Sequence, residues 1–227
     1  MSYQEAPIGP LYALVRGSML LYEKHKHDLR VKGLGNFPMR GAVILVPSHR
    51  EASDPWVAAV SVARPAYFMS KKELWTSRYK YFGFLMGMLG AFPIDRDNPQ
   101  LSSFKKAHRV VEQGMVLGVF GEGSRYEDET LKIVRGDQIG SLHDSFARVA
   151  VKHCAPVVAM GISTMNKEEI EEAGREVKRV VLTPVLRTDS NLPNKVAQRD
   201  LLSRTQEALQ TAFDEANEAA RIEAYYS

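Results

Sequence analysis

From residue 41 onward the chain alternates short apolar runs with longer stretches whose apolar positions recur every three or four residues. The short runs are "AVILVPS" (42–48), "AYFMS" (66–70), "AFPID" (91–95), "VLGVF" (116–120), "PVVAMGIS" (156–163) and "RVVLTPVL" (179–186), and they read as strands. Between them, residues 53–63, 72–89, 99–114 and 141–154 read as helices. Strand and helix in alternation predict an α/β fold, a mainly parallel sheet flanked by helices. Two more helices are expected outside this series. Residues 11–23, "LYALVRGSMLLYE", place Leu11, Leu14, Val15, Ser18, Met19 and Tyr22 on one helical face. Residues 194–223 repeat Leu202, Leu209, Phe213, Ala216 and Ala220 at helical spacing and are otherwise charged, so a long C-terminal amphipathic helix should cover one face of the domain. No internal repeat or low-complexity linker interrupts the pattern. The expected organisation is an N-terminal amphipathic helix over residues 1–28 and a single α/β domain over residues 29–227.

Composition narrows the class. Of 227 residues, 44% are hydrophobic and 25% charged, which is ordinary for a globular chain and argues against disorder. The formal net charge of +3 is too weak to imply nucleic acid, but it suits an anionic substrate or membrane surface. Cys154 is the one cysteine, so neither an internal disulfide nor a cysteine zinc site can form, and a reducing, cytoplasmic setting fits. The opening "MSYQEAPIGP" carries Glu5 and Pro10 where a signal peptide needs an apolar core. The longest uncharged stretch, "YFGFLMGMLGAFPI" (81–94), falls short of the ~20 residues a membrane span needs, and no transmembrane helix is expected. After the first helix come Lys24, Lys26, Arg30 and Lys32, with His25 and His27 among them. That helix either packs on the domain or lies on an anionic membrane with its basic end toward the headgroups.

In sheets of this kind ligands sit beyond the carboxyl ends of the strands. Three polar clusters fall there. In "SHREASDPW", His49 and Asp54 follow the first strand. A histidine can accept a proton near neutral pH, and an aspartate on its second ring nitrogen would hold the tautomer and stabilise the imidazolium. Equally, Ser53 or Asp54 could be an N-cap before Pro55. In "FPIDRDN", Arg96 lies between Asp95 and Asp97. It could bind a phosphate through two parallel N–H bonds, or belong to a surface charge cluster. In "VFGEGSRYED", Gly121 and Gly123 flank Glu122, with Ser124 and Arg125 next. Glycines there let the backbone approach an anion, or simply make a turn. The spacing is neither that of a Walker loop nor that of a dinucleotide fingerprint.

Taken in order, "SHREASD", "FPIDR", "FGEGSR" and "APVVAMGI", with "MSKKELW" (69–75) between the first two, resemble the blocks of the glycerolipid acyltransferases over about residues 29–165. The H-x4-D spacing alone is unspecific; four ordered blocks are specific. Departures are Ser48 where asparagine is usual, Gly121 for proline and Ser124 for threonine. The resemblance implies that His49 is the general base and Asp54 its orienting acid. Arg96, Glu122, Gly123, Ser124 and Arg125 would form the acceptor site, the two arginines holding a phosphate. The implied reaction moves a fatty acyl group from acyl-CoA or acyl carrier protein, as co-substrate, to the hydroxyl of 1-acyl-sn-glycerol 3-phosphate, giving phosphatidate. No metal or cofactor is expected. The implied partners are that lysophospholipid, the acyl donor and an anionic membrane surface to which the protein attaches peripherally. Other readings are an acyltransferase for glycerol 3-phosphate or another lysophospholipid, and a non-catalytic lipid- or phosphate-binding relative.

Overall fold

The structure, a computed structural model, describes residues 10–71, 87, 90–94, 101–122 and 138–226. The helix expected over 72–89, and the site candidates Arg96, Gly123, Ser124 and Arg125, lie outside the described residues, apart from residue 87. In chain order the elements are α1 (Pro10–His27), β1 (Arg30–Lys32), β2 (Val43–Pro47), α2 (Asp54–Ser61), β3 (Ala66–Lys71), β4 (Phe92–Ile94) and α3 (Leu101–Glu112). They continue with β5 (Val116–Gly118), α4 (Ser145–His153), β6 (Val157–Ile162), α5 (Lys167–Ala173), β7 (Arg179–Leu182) and α6 (Asn194–Tyr226).

The described strands form one sheet in the order β1-β7-β6-β2-β5-β3-β4. From β6 to β4 every neighbour pair is parallel. β7 runs antiparallel to β6, and β1 runs parallel to β7. The sheet is therefore mainly parallel, as the alternation predicts, with two reversed strands at one side. Its centre is β2, whose Val43, Ile44, Leu45 and Val46 are completely buried. Burial of each such side chain contributes ~1.5–3 kcal/mol. Because side chains alternate along a strand, Ile44 and Val46 join one core with α3, α4 and the first half of α6, while Val43 and Leu45 join the other with α1 and α2.

That division creates the crevice. β2 connects through α2 on one face to β3, and β5 connects through α4 on the other face to β6. The chain thus leaves two adjacent strands in opposite directions, which is a topological switch point, where α/β sheets place their ligands. The N–H groups of Ile44 and Ser48 go to β6 and that of Val43 to the β5 side, so the nitrogen of Pro47 faces β5 beyond its last residue, Gly118. A proline in a central strand costs no ladder bond there.

α1 packs on α2, and the residues that do so differ from the expected face. Tyr12, Arg16, Met19, Leu20 and Glu23 turn inward, while Leu14 and Tyr22, expected on the same face as Met19, are exposed beside Leu21. The reason is polar. Arg16 donates to the carbonyls of Val60 and Val62 and so caps the free C-terminal end of α2, and the indole N–H of Trp56 donates to Glu23 at 2.9 Å. Arg30 and Lys32 do not extend the basic run on α1. They lie in β1 and pair with Glu223 and Glu215 of α6. Gly161 lets α6 press on β6, because a Cβ there would meet the Ala212 backbone at 2.2 Å. Among the described residues no helix is long and apolar enough to cross a membrane.

Candidate active site

The turn from β2 to α2 folds His49 back onto Asp54. Imidazole Nδ1 lies 3.3 Å from Asp54 Oδ2, and the same oxygen accepts the backbone N–H groups of Arg50 and Glu51, each at 2.6 Å. Asp54 is 1% exposed and the His49 side chain 12%. Asp54 is the first residue of α2, and its carboxylate binds upstream amides rather than those of the helix; Ser53 holds the cap position and makes no side-chain cap bond. Ser53 thus occupies the cap position before Pro55 without a side-chain bond, and Asp54 is not the cap. Instead, the aspartate shapes the turn and faces the histidine with one oxygen. A carboxylate beside Nδ1 favours the tautomer with its proton on Nδ1, which leaves Nε2 free to accept one.

Glu122, after β5, comes to the same turn. Its Oε1 accepts the N–H of His49 at 2.9 Å and its Oε2 that of Gly140 at 2.7 Å. This buried carboxylate thus ties three separate segments together at the switch point, and two charge-assisted bonds offset the cost of burying it. The Gly140 loop is held from behind by α6, where Gln206 and Gln210 stand one turn apart. Gln206 accepts from Leu142 N–H and donates to Gly140 C=O, and Gln210 accepts from Ile139 N–H. Ser48, standing where asparagine is usual in the resembling family, is buried, and its Oγ accepts the N–H of Ile162 at 3.0 Å, joining the end of β2 to β6.

An aromatic wall flanks the histidine. The Phe120 ring lies 4.2 Å from the His49 ring, centroid to centroid, and Phe68 stacks behind it at 5.6 Å. Gly118 makes the space: a Cβ there would meet the Phe68 ring at 2.1 Å. The arrangement can hold a neutral imidazole, accept a proton at Nε2 and stabilise the cation formed, beside an apolar surface that excludes water. Among the described residues no cluster of three or more metal-ligating side chains occurs.

The structure thus brings together His49, Asp54 and Glu122 among the residues singled out in the sequence. Sequence reasoning missed Phe120, Gly140, Gln206 and Gln210. Phe120 was accessible, as the last residue of the expected strand 116–120, at its ligand end. The other three act over separations that no local pattern reveals.

The chain matches the family described as Acyltransferase over residues 28–163. It is 41% identical over 88 residues to the 1-acyl-sn-glycerol-3-phosphate acyltransferase of Streptococcus pneumoniae, a segment that is 38% of this chain and 33% of that protein. It is 24% identical over 206 residues to the Bacillus subtilis protein of the same name, covering 88% of this chain and 92% of that one. The crystal structure of the 1-acyl-sn-glycerophosphate acyltransferase from Thermotoga maritima has the same fold, with a TM-score of 0.57 at 17% identity, covering 86% of this chain and 80% of that one. Matched by the family over residues 28–163, more than half its length, the chain belongs to the acyltransferase family.

Proposed function

We propose that the protein transfers a fatty acyl group from an acyl thioester, acyl-CoA or acyl carrier protein, to the free hydroxyl of 1-acyl-sn-glycerol 3-phosphate, giving phosphatidate. The observation that carries this is the His49–Asp54 pair at the mouth of β2, and the names of the relatives support the acceptor. His49 Nε2 takes the hydroxyl proton as the oxygen attacks the thioester carbonyl. Asp54 stabilises the resulting imidazolium through Nδ1–H. The tetrahedral intermediate then expels the thiolate, which recovers the proton from Nε2. The thioester is already activated, so a positioned base contributing ~10²–10⁴-fold, together with the proximity of the two substrates, is a sufficient apparatus.

In this reading Glu122 holds the loops that frame the acceptor. By family resemblance, Arg96, Gly123, Ser124 and Arg125 complete the acceptor site, with the arginines on the phosphate. Both lipids are insoluble, so the reaction takes place at a bilayer. The exposed Leu14, Leu21 and Tyr22 of α1, next to exposed Lys24, His25 and Lys26, suit an anionic surface. The deciding measurement is thiol release from palmitoyl-CoA with a panel of acceptors. Turnover should be highest with 1-acyl-sn-glycerol 3-phosphate. Higher turnover with glycerol 3-phosphate would replace the acceptor, and no thiol release with any acceptor or with acyl carrier protein would overturn the reading.

A further inference from the structure

Behind the candidate base, on the side away from Glu122, lies a lysine. Lys178 directly precedes β7. Because β7 is antiparallel to β6, its first residues arrive at the end of the sheet where β2 and β6 finish, beside the His49 turn. The Lys178 side chain is 2% exposed, yet it carries an amine. Its Nζ lies 2.6 Å from Glu51 Oε2 and 2.9 Å from Glu176 Oε1. Burial alone would push its pKa down, but the two carboxylates outweigh that and hold it above the usual lysine value, so the amine is charged.

Glu51 sits inside the catalytic turn. Its backbone N–H is one of the two that fix Asp54 Oδ2, and its carboxylate, besides binding Lys178, accepts the hydroxyl of Ser53 at 3.0 Å. Lys178 in turn cannot drift. Its N–H donates to the carbonyl of His27, and its carbonyl accepts from the N–H of Arg30 and from Arg179 Nη1. A rigid post at the edge of β7 therefore reaches the imidazole in three steps: Lys178 to Glu51, Glu51 to Asp54, Asp54 to His49.

We propose that Lys178 is a positioning residue for acyl transfer, fixing through Glu51 the turn that aims His49 and Asp54. The inference rests on the reading of His49 and Asp54 given above. Lys178 touches no reacting atom. Its effect is to hold the base within the narrow range in which Nε2 meets the acceptor hydroxyl, and a displacement of about 1 Å at such a site costs on the order of 10²-fold in rate.

The test compares Lys178→Met, Glu51→Gln, the double variant and Glu176→Gln in the full chain, with kcat and both KM values measured using palmitoyl-CoA and the best acceptor. Glu51→Gln, at a partly exposed site, keeps the Lys178–Glu176 pair and serves if Lys178→Met fails to fold. Expected are kcat losses of ~10- to ~10²-fold in Lys178→Met and Glu51→Gln, with both KM values within about twofold of wild type. The double variant should be no slower than the worse single variant, because the two residues act in series. Glu176→Gln breaks the other bond to the same amine and should retain wild-type kcat. If Lys178→Met or Glu51→Gln slows the enzyme only as much as Glu176→Gln does, or if the double variant shows the product of the two losses, the positioning role is wrong. His49→Ala, measured alongside, separates this from the reading it rests on. Full turnover there removes the base itself, whereas a dead His49→Ala beside an unimpaired Glu51→Gln removes only the post.

Discussion

Asp54 and Glu122 are both buried carboxylates, and each accepts two backbone N–H groups, yet they divide those bonds differently. Glu122 spends one oxygen on each of two segments, His49 and Gly140, which are 73 and 18 residues away from it. Asp54 gathers both of its amides on Oδ2, from residues three and four positions upstream, and turns that oxygen to the imidazole; Oδ1 has no hydrogen-bond partner among the described residues. One carboxylate joins distant pieces of chain. The other shapes a local turn and presents the same oxygen to the imidazole. Burial and the number of amides bound are alike, and the placement of the bonds is what separates the two acids.

The largest effect should come from the group that the local acid serves. His49→Ala should lower kcat by ~10³- to ~10⁴-fold, while the thermal midpoint stays near wild type, since the imidazole's described contacts are Asp54 and the Phe120 ring. Near-normal turnover in the folded variant would remove the catalytic half of the comparison.

Asp54→Asn should be milder than the usual loss of a triad acid. Both amides and Nδ1 converge on one oxygen, so an asparagine will turn its carbonyl there, preserving the turn and the tautomer and losing only the negative charge. The charge that would stabilise the imidazolium is then missing, so kcat/KM near neutral pH should fall ~10- to ~10²-fold. Wild-type kcat/KM in the folded variant would mean that Asp54 only shapes the turn, and the two acids would then be alike in role.

Glu122→Gln should reverse the balance between activity and stability. A glutamine keeps one acceptor oxygen, so one of the two N–H groups meets an amide donor instead, at a cost of ~1–3 kcal/mol. Loss of several degrees in melting temperature and about tenfold in kcat/KM is expected. If Asp54→Asn proves the less stable of the two, the assignment of assembly to Glu122 fails. The smallest effect is expected at α1. Leu14→Ser with Leu21→Ser should weaken sedimentation with vesicles of anionic lipid, and salt should weaken it further. Turnover on detergent-dispersed substrate should change less than about twofold, since neither side chain belongs to the network around Asp54 or Glu122. Unchanged vesicle binding would assign the membrane contact to another surface.

Much of this architecture was legible in the sequence because its central strands are apolar on both faces and their helices carry a stripe. What escaped notice had no such signal. β1 is three residues, Arg30 to Lys32, two of them charged, and becomes a strand by pairing with β7. α5, Lys167–Ala173, buries no residue, so it shows no stripe. Its cap could have revealed it, for Asn166 and Glu169 form a reciprocal capping box. On α1 the apolar periodicity pointed to the wrong face because Arg16 and Glu23 look like surface residues until Trp56 and the end of α2 supply partners. In the site, the His49–Asp54 pair was readable because it is local. The Glu122–Gly140 and Lys178–Glu51 contacts were not, because they depend on where β5 and β7 enter the sheet.

The late arrival of β7 and α6 in the chain has a consequence for the time at which the site becomes competent. The turn carrying His49 and Asp54 leaves the ribosome early and can close on itself. The lysine that steadies it follows 127 residues after Glu51, and Gln206, which pins the Gly140 loop, comes later still. A nascent chain that has emerged only through β6 holds the candidate base and its acid but neither of these supports. Synthesis and competence are therefore separated. The turn carrying His49 and Asp54 waits for β7 and α6, and closure of the Arg30–Glu223 clasp, spanning 193 residues, comes after both have been made.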